Sequence, residues 1–324
     1  MKIIKAISLE KCGINTPLRV AHTCTFKCNL RCNYCGWWKR EYKEMTTPEI
    51  KSIMKEFSEM GTVAWSFGGG EPLIMKDIGK LINYSKDLGF ISNLTTNGFL
   101  VKKNIRTLKN LDLLTISLDG PKWVHDKIRG KGAFDKVIEA IKLCKRNNIN
   151  VSALPVLSNL NLANNCKGLK EVLELLEKLD CKFLTQPLYT DNHNTQILNK
   201  EKITLNPEEY NKALNLVEEF GKRTKLSLLS PSEIKWFRNF NKKESCWKCY
   251  AGKLFCVLLP DGQLIPCNIL ETKTQNGLEL GFKTAFKKLY KSGKTCKCGL
   301  ACATKYNMLF SLKFDAIFNQ IRHI

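Results

Sequence analysis

Three cysteines near the start of the chain are spaced for metal chemistry. Cys28, Cys32 and Cys35 follow the pattern C-x3-C-x2-C, and three thiolates in one short loop can surround a single soft metal centre, zinc or iron-sulfur. Sites of both kinds are normally closed by a fourth protein ligand. A loop with three thiols therefore leaves one coordination position for a substrate or cosubstrate. The alternative is that Cys24 supplies the fourth ligand of a structural zinc site.

The segments around this loop alternate between strand-like and helix-like patterns. Six apolar strands are predicted, at residues 18–24, 63–67, 90–95, 111–117, 149–157 and 183–188. The first helix between them begins at the threonine cap Thr46, carries Pro48 in its first turn and stops at Gly61. Six strands alternating with helices predict an α/β fold with a parallel sheet, and six are too few for a complete eight-fold barrel. We therefore predict an open, partial (β/α)6 barrel.

Glycines and polar residues follow the predicted strands, where the reactive groups of such sheets lie. Strand two leads into three glycines and Glu71, which suit close backbone approach to a ligand and contact with a cationic amine. Strand three leads into Asn97, in a turn. Strand four leads into Ser117 and Asp119, whose spacing puts both side chains on one side of an extended chain, as a ribose requires. Arg129 follows, with a guanidinium that can bind a carboxylate through two hydrogen bonds.

Together these motifs resemble the radical S-adenosylmethionine enzymes over roughly residues 18–190. The resemblance implies that Cys28, Cys32 and Cys35 hold three irons of a 4Fe-4S cluster, whose fourth iron binds the amine and carboxylate of S-adenosylmethionine. The cosubstrate contacts that it implies are Gly69, Gly70 and Glu71 for the amine, Ser117 and Asp119 for the ribose, Arg129 for the carboxylate, Tyr34 and Leu157 for the adenine, and Asn97. Cys24 matches no position of the family loop and is expected at the strand end near the cluster.

A second group of cysteines follows residue 245. Residues 253–259 and 263–266 flank an Asp261-Gly262 turn and predict a β-hairpin, which would bring Cys249 and Cys267 to the same end. The group resembles the SPASM or twitch extension of radical S-adenosylmethionine enzymes, which binds an auxiliary 4Fe-4S cluster. The ligands that this resemblance implies are Cys249, Cys267, Cys298 and Cys302, with Cys246 and Cys296 as substitutes or neighbours. A zinc ribbon is the alternative, and Cys256 is expected in the core.

Composition and charge limit the class of protein. The chain has 324 residues, 44% of them hydrophobic, and 15 cysteines, but it has no apolar run long enough for a membrane span or a signal peptide. We therefore expect a cytoplasmic protein whose clustered cysteines bind metal rather than form disulfides. We predict three parts. Residues 1–190 form the barrel, residues 191–245 form a connector that contains a helix, and residues 246–324 form a small cysteine-rich auxiliary-cluster domain that contains the hairpin.

The net charge of +22 indicates an anionic partner. An acidic electron donor, a ferredoxin or a flavodoxin, is the partner that the resemblance implies, and nucleic acid is disfavoured. The tail from residue 308 to residue 322 predicts one helix, with Phe310, Phe314 and Phe318 on one face and Leu309, Leu312, Ala316, Ile317 and Ile321 on another. Such a helix in a basic protein could pack on the barrel or lie on an anionic membrane.

The leading hypothesis for the activity comes from the resemblance. The enzyme would cleave S-adenosylmethionine reductively to a 5'-deoxyadenosyl radical and abstract hydrogen from a substrate, in peptide or natural-product maturation. About 18 residues precede the first strand, which argues against a separate peptide-recognition domain and keeps a small-molecule, cofactor or lipid precursor open as the substrate. The competing class is a non-catalytic zinc protein that binds nucleic acid, but it gives no role to Glu71, Asp119 or Arg129.

Overall fold

The computed structural model describes residues 10, 12–13, 15–188, 205–239, 248–270, 274–289 and 299–323. Five strands of one sheet run through the first half of the chain. They are β1 (Arg19–Thr25), β2 (Ala64–Gly69), β3 (Ile91–Thr96), β4 (Leu113–Ser117) and β5 (Val151–Leu154). Each strand pairs in parallel with the next along the chain. The predicted α/β fold with a parallel sheet is confirmed.

The two last predicted strands are each divided into two short ones. Residues 149–157 give β5 and then β6 (Val156–Leu157), and residues 183–188 give β7 (Lys182–Phe183) and β8 (Gln186–Pro187). β7 extends the main sheet beside β5, whereas β6 and β8 form a separate parallel pair. Pro155 lies between β5 and β6, where it has no backbone N–H to donate to a ladder.

Helices connect the strands and cover the sheet. In the first half they are α1 (Thr47–Glu59), α2 (Ile78–Asp87), α3 (Val101–Leu108), α4 (Lys122–Arg129), α5 (Ala133–Arg146) and α6 (Asn159–Lys178), the last interrupted at residues 163–166. The predicted threonine cap of α1 is present, with Pro48 in the first turn, and it forms a capping box in which Thr46 and Glu49 exchange hydrogen bonds. Its apolar side buries Ile50, Met54 and Phe57 against the sheet.

The predicted hairpin is present, and it joins the barrel sheet. It consists of β9 (Phe255–Leu258) and β10 (Gln263–Ile265), and β11 (Gln275–Asn276) pairs with β10. β9 pairs in parallel with β1, so that Arg19 lies opposite Phe255. The strand order is β11-β10-β9-β1-β2-β3-β4-β5-β7. The cysteine-rich segment therefore shares one sheet with the strand that leads into the three-cysteine loop.

Six further helices complete the second half of the described chain. They are α7 (Pro207–Thr224), α8 (Pro231–Asn239), α9 (Gly277–Leu280), α10 (Phe282–Lys288), α11 (Ala301–Phe310) and α12 (Phe314–His323). The prediction of a single tail helix is wrong. The helix is interrupted between α11 and α12 at Leu312, whose φ of 56° lies in the left-handed region. None of the helices in the described segments combines the length and apolar composition that crossing a bilayer requires.

Candidate active site

The three-cysteine loop opens onto a cavity at the carboxyl ends of the parallel strands. Cys28, Cys32 and Cys35 all line this cavity, whose volume is about 260 Å³. The loop is held by its own backbone and by α4, because Cys35 N–H donates to the carbonyl of Cys32 at 3.1 Å and Asn33 N–H donates to the carbonyl of Ile128 at 3.0 Å. Convergence of three soft thiol ligands on one cavity fits an iron-sulfur cluster with a position left for another molecule.

The thiols of this loop are held protonated until a metal binds. Burial raises the pKa of Cys32 to about 11 and also raises the pKa values of Cys28 and Cys35. Two donors oppose this effect, since Leu30 N–H contacts Cys28 Sγ at 3.4 Å and Arg129 Nη1 contacts Cys32 Sγ at 3.7 Å. Among the described residues, no three Cys, His, Asp or Glu side chains are drawn together as a ready-made metal site. Cluster binding therefore has to release the protons of these thiols.

Cys24, near the end of β1, does not line the cavity. Its side chain is buried in the main hydrophobic core, with Sγ 3.8 Å from Nδ1 of His22. Burial raises the pKa of Cys24 to about 12. The structure gives this thiol a place in the core rather than on the cavity, which argues against a four-cysteine zinc site in this loop.

Arg129 at the end of α4 is fixed by a buried network. Its Nε donates to Asp119 Oδ2 at 2.5 Å, and its Nη2 contacts the Tyr34 hydroxyl at 3.1 Å. The hydroxyl donates in turn to Asp119 Oδ1 at 3.2 Å. Burial alone would raise the pKa of Asp119, but the charge of Arg129 and the hydrogen bonds from Arg129 and Tyr34 help to hold it below its usual value. Arg129 and Tyr34 line the cavity, whereas Asp119 lies behind them with its side chain fully buried.

His125 supports the same network from its far side. Its Nδ1 accepts a hydrogen bond from the backbone N–H of Asp119 at 3.1 Å, so the ring proton resides on Nε2. Burial lowers the pKa of His125 to about 4, and the ring is therefore neutral at pH 7. Asn161 Nδ2 donates to the carbonyl of Asp119 at 2.7 Å. The main chain of Asp119 is thus held at both its N–H and its carbonyl.

Glu71 forms a second buried anchor, beneath the turn after β3. Its carboxylate accepts hydrogen bonds from Leu73 N–H at 3.1 Å, Thr96 Oγ1 at 2.8 Å and Asn97 N–H at 2.7 Å. Burial raises its pKa, although these three donors oppose the rise. Asn97 also connects this anchor to the cysteine loop, because its Nδ2 donates a hydrogen bond to Asn29 Oδ1 at 2.8 Å. Glu71 itself lies outside the cavity lining.

The glycines after β2 serve the protein's own packing as well as the cavity. A Cβ atom on Gly69 would lie 2.4 Å from the carbonyl oxygen of Thr25, and one on Gly70 would lie 2.3 Å from that of Lys27. Both residues also line the cavity. Glycine at these two positions lets the end of β2 lie directly against the stem of the cysteine loop.

Most of the predicted site residues converge on this one cavity. Those that line it are Cys28, Cys32, Tyr34, Cys35, Gly69, Gly70, Asn97, Ser117 and Arg129. Leu157, expected beside an adenine, is fully buried, and its neighbours Leu154 and Val156 line the cavity instead. Thr95, Gln186 and Leu300 also line it, and no motif in the sequence pointed to them. Trp37 and Trp38 line it too, and their position two and three residues after Cys35 could have predicted this.

The second cysteine group is described only in part. Cys249 and Cys267 are buried beside the hairpin, and Cys302 lies in the first turn of α11. Cys246, Cys296 and Cys298 lie outside the described residues, as do residues 191–204 and 240–245 of the predicted connector. Cys256 is fully buried in the core, as expected.

A buried cation lies beside Cys302. The guanidinium of Arg19 is 4.1 Å from the ring centre of Tyr306, one helical turn after Cys302, and Nη2 donates to Ser66 Oγ at 2.9 Å. Its Nε is buried without a hydrogen-bond partner in the described structure. Burial raises the pKa of Cys302, and the charge of Arg19 opposes that rise. A buried, under-satisfied cation beside cysteines fits an anionic thiolate cluster.

Comparison with known proteins agrees with this geometry. Residues 23–164 match the family model described as Radical SAM superfamily. The AdoMet-dependent heme synthase of Oleidesulfovibrio alaskensis is 27% identical over 293 residues, covering 83% of this chain and 74% of the relative.

Two solved structures share the fold. Streptococcus suis SuiB bound to S-adenosylmethionine has a TM-score of 0.63 and 17% identity, over 80% of this chain and 62% of SuiB. Native anSMEcpe with bound AdoMet has a TM-score of 0.64 and 22% identity, over 86% of this chain and 82% of anSMEcpe. The chain thus spans less than two thirds of the length of SuiB.

These matches decide between the two classes that the sequence left open. A radical S-adenosylmethionine domain uses a 4Fe-4S cluster and S-adenosylmethionine, which is the chemistry that the three-thiol cavity fits. The non-catalytic zinc protein is therefore wrong as a description. Residues 23–164 therefore carry a radical S-adenosylmethionine domain, and the chain is an enzyme.

Proposed function

We propose that this enzyme cleaves S-adenosylmethionine reductively and abstracts a hydrogen atom from a substrate bound at the same cavity, in the maturation of a peptide. The observation that carries the proposal is the convergence of three cysteines, Ser117 and Arg129 on one cavity at the strand ends. When bound, the cluster supplies one electron to S-adenosylmethionine, which yields methionine and a 5'-deoxyadenosyl radical.

The residues of the cavity divide into those that contact the cosubstrate and those that hold them. Arg129 offers a guanidinium to the carboxylate, Ser117 offers a hydroxyl to the ribose, and Gly69 with Gly70 offers backbone groups to the amine. Leu154 and Val156 offer an apolar wall to the adenine, in place of Leu157. Each of these groups lines the cavity, and a fixed geometry of this kind is what radical transfer to a neighbouring substrate requires.

Glu71 and Asp119 act as positioning residues in this proposal. Both carboxylates are fully buried and already accept hydrogen bonds from the protein, Glu71 from the β3 turn and Asp119 from Arg129 and Tyr34. They orient the groups that touch the cosubstrate, much as outer hydrogen bonds orient metal ligands.

The second cysteine group would hold an auxiliary 4Fe-4S cluster through Cys249, Cys267, Cys298 and Cys302, with Cys246 as a further thiol. Leu300, directly before α11, lines the cavity, and Tyr306 within α11 lies against Arg19. After hydrogen abstraction, the substrate radical would be oxidised by losing its unpaired electron, and this cluster would be the acceptor. An acidic ferredoxin or flavodoxin would supply the first electron to the basic chain, whose formal net charge is +22.

Two observations bear on the substrate. SuiB has been solved with the precursor peptide SuiA, and anSMEcpe with the Cp18Cys peptide, which favours a peptide side chain. The heme synthase relative, similar over most of this chain, favours a cofactor precursor as the second candidate.

The experiment starts from reconstituted, reduced enzyme and S-adenosylmethionine, and measures release of 5'-deoxyadenosine by mass spectrometry. Extracts of deuterium-labelled cells, divided into a peptide and a small-molecule fraction, are then added. Deuterium in the 5'-deoxyadenosine identifies the fraction that contains the substrate. We expect it with the peptide fraction. Label from the small-molecule fraction alone would favour the cofactor precursor, and no 5'-deoxyadenosine at all would refute the activity.

A further inference from the structure

The last helix of the described chain is turned with its polar side towards the protein. Ser232 donates to Asp315 through its N–H at 2.6 Å and through its hydroxyl at 2.7 Å. Asn319 Nδ2 donates to the carbonyl of Leu228 at 2.8 Å. Ala316 between them is buried, with 4% of its surface exposed. Hydrogen bonds to α8 and to the segment before it therefore fix which side of α12 faces outward.

The outward side of α12 is apolar. Phe314, Phe318 and Ile321 are exposed to 77%, 68% and 65%, and their spacing of four and three residues places them along one stripe. Large apolar side chains normally form the buried side of an amphipathic helix. Here they form the outer one, and we call these three side chains the outer stripe of α12. A contiguous exposed apolar patch of this kind marks an interaction surface.

A hollow between α7 and α12 carries mostly positive charges in its lining. Lys222, Lys225 and Arg322 line this hollow next to Asn319, and Glu218 is the acidic residue among its lining. Glu218 is engaged already, by Lys222 at 2.8 Å and Arg238 at 2.7 Å. The hollow therefore keeps an excess of positive charge. A second copy of a chain with net charge +22 would add repulsion at this surface, whereas an anionic surface would neutralise it.

We propose that α12 docks the enzyme on an anionic phospholipid surface. The outer stripe enters the boundary between head groups and acyl chains, and Lys225 and Arg322 contact the lipid phosphates. Apolar side chains on one side of a surface helix, flanked by cations, are the features that such binding uses. The three exposed side chains of the outer stripe need no preformed groove in a membrane, because the fluid acyl chains of lipids can rearrange around them. This proposal does not depend on the reaction proposed above.

Vesicle flotation tests the proposal with the full-length, cluster-loaded enzyme. The vesicles contain phosphatidylcholine alone or phosphatidylcholine with phosphatidylglycerol. We expect the enzyme to float with the anionic vesicles and to bind neutral ones at least about tenfold more weakly. The double variant Phe314→Ser/Phe318→Ser and the double variant Lys225→Glu/Arg322→Glu should each lose about tenfold or more of the binding.

Leu278→Ser is the matched control, because Leu278 is an apolar side chain exposed to 50% on another part of the surface. It should bind like the wild type. Unchanged iron content and thermal unfolding of every variant show that the fold is retained. Binding that is absent, indifferent to lipid charge or unchanged in both double variants would overturn the proposal. So would a dimer in light scattering that the Phe314→Ser/Phe318→Ser variant abolishes, because the stripe would then be a contact between copies.

Discussion

The buried pair of Asp119 and Arg129 offers a direct test of how the site is built. The substitution Asp119→Asn keeps the size and shape of the side chain but removes its charge. Arg129 Nε and Asp119 Oδ2 are 2.5 Å apart, with 9% and 0% of the two side chains exposed. Removing one partner of such a pair leaves a buried charge uncompensated and costs about 3–5 kcal/mol. The new amide N–H group would also face the guanidinium, where neither group can accept a hydrogen bond.

A surface pair of the same length provides the control. Lys122 Nζ and Asp135 Oδ2 are also 2.5 Å apart, but 59% and 61% of their side chains are exposed. Asp135→Asn should therefore leave stability almost unchanged, because solvent screens exposed pairs.

The assay is urea unfolding under anaerobic conditions, followed by tryptophan fluorescence, together with S-adenosylmethionine affinity by calorimetry. We expect Asp119→Asn to lower the free energy of unfolding by about 3–5 kcal/mol and to weaken S-adenosylmethionine binding by about 10–100-fold, because Arg129 loses the group that orients it. Equal stability of the Asp119→Asn and Asp135→Asn proteins would refute the argument from burial.

Two further predictions concern the histidines and the auxiliary site. Burial lowers the pKa of His22 to about 3 and that of His125 to about 4, so only the unfolded chain takes up protons as the pH falls from about 6.5. The free energy of unfolding should fall by about 1.4 kcal/mol per histidine for each pH unit, down to about pH 4. His22→Phe should reduce the slope of this free energy against pH, as measured by urea unfolding. A slope equal to that of the wild type would contradict this prediction. Arg19→Met should lower the auxiliary-cluster potential by on the order of tens of millivolts, because a nearby cation stabilises the reduced cluster. Arg19→Lys keeps the positive charge, so its auxiliary-cluster potential in an EPR-monitored titration should stay close to that of the wild type. Equal potentials in the wild type, Arg19→Met and Arg19→Lys would show that Arg19 does not tune the cluster.

The sheet and the cysteine loop were predictable because their signals are local. Alternating apolar strands and helices predicted β1 to β5, and the spacing of Cys28, Cys32 and Cys35 predicted one ligand cluster. The turn at Asp261 and Gly262 predicted the hairpin. Its pairing with β1 was not predictable, since the partner of an edge strand depends on contacts between residues more than 200 positions apart.

The parts that the sequence did not predict depend on where an extended chain ends. Ser117 and Asp119 share one side only if the strand continues, but β4 stops at Ser117 and the chain turns into α4. Asp119 therefore points back towards Arg129 and His125, and Ser117 alone of the two reaches the cavity. Leu157 also misses the cavity. Successive side chains of the short β6 point to opposite sides, and Val156 is the one on the cavity side.

The central claim is that Cys28, Cys32 and Cys35 hold a cluster with one iron open to S-adenosylmethionine. The most direct measurement is the EPR spectrum of the reduced protein before and after S-adenosylmethionine is added, with Cys249→Ala/Cys267→Ala used to isolate the signal of this cluster. The account predicts a 4Fe-4S signal that changes when S-adenosylmethionine binds and that Cys32→Ala abolishes. A signal indifferent to S-adenosylmethionine, or one that survives Cys32→Ala in that background, would contradict it.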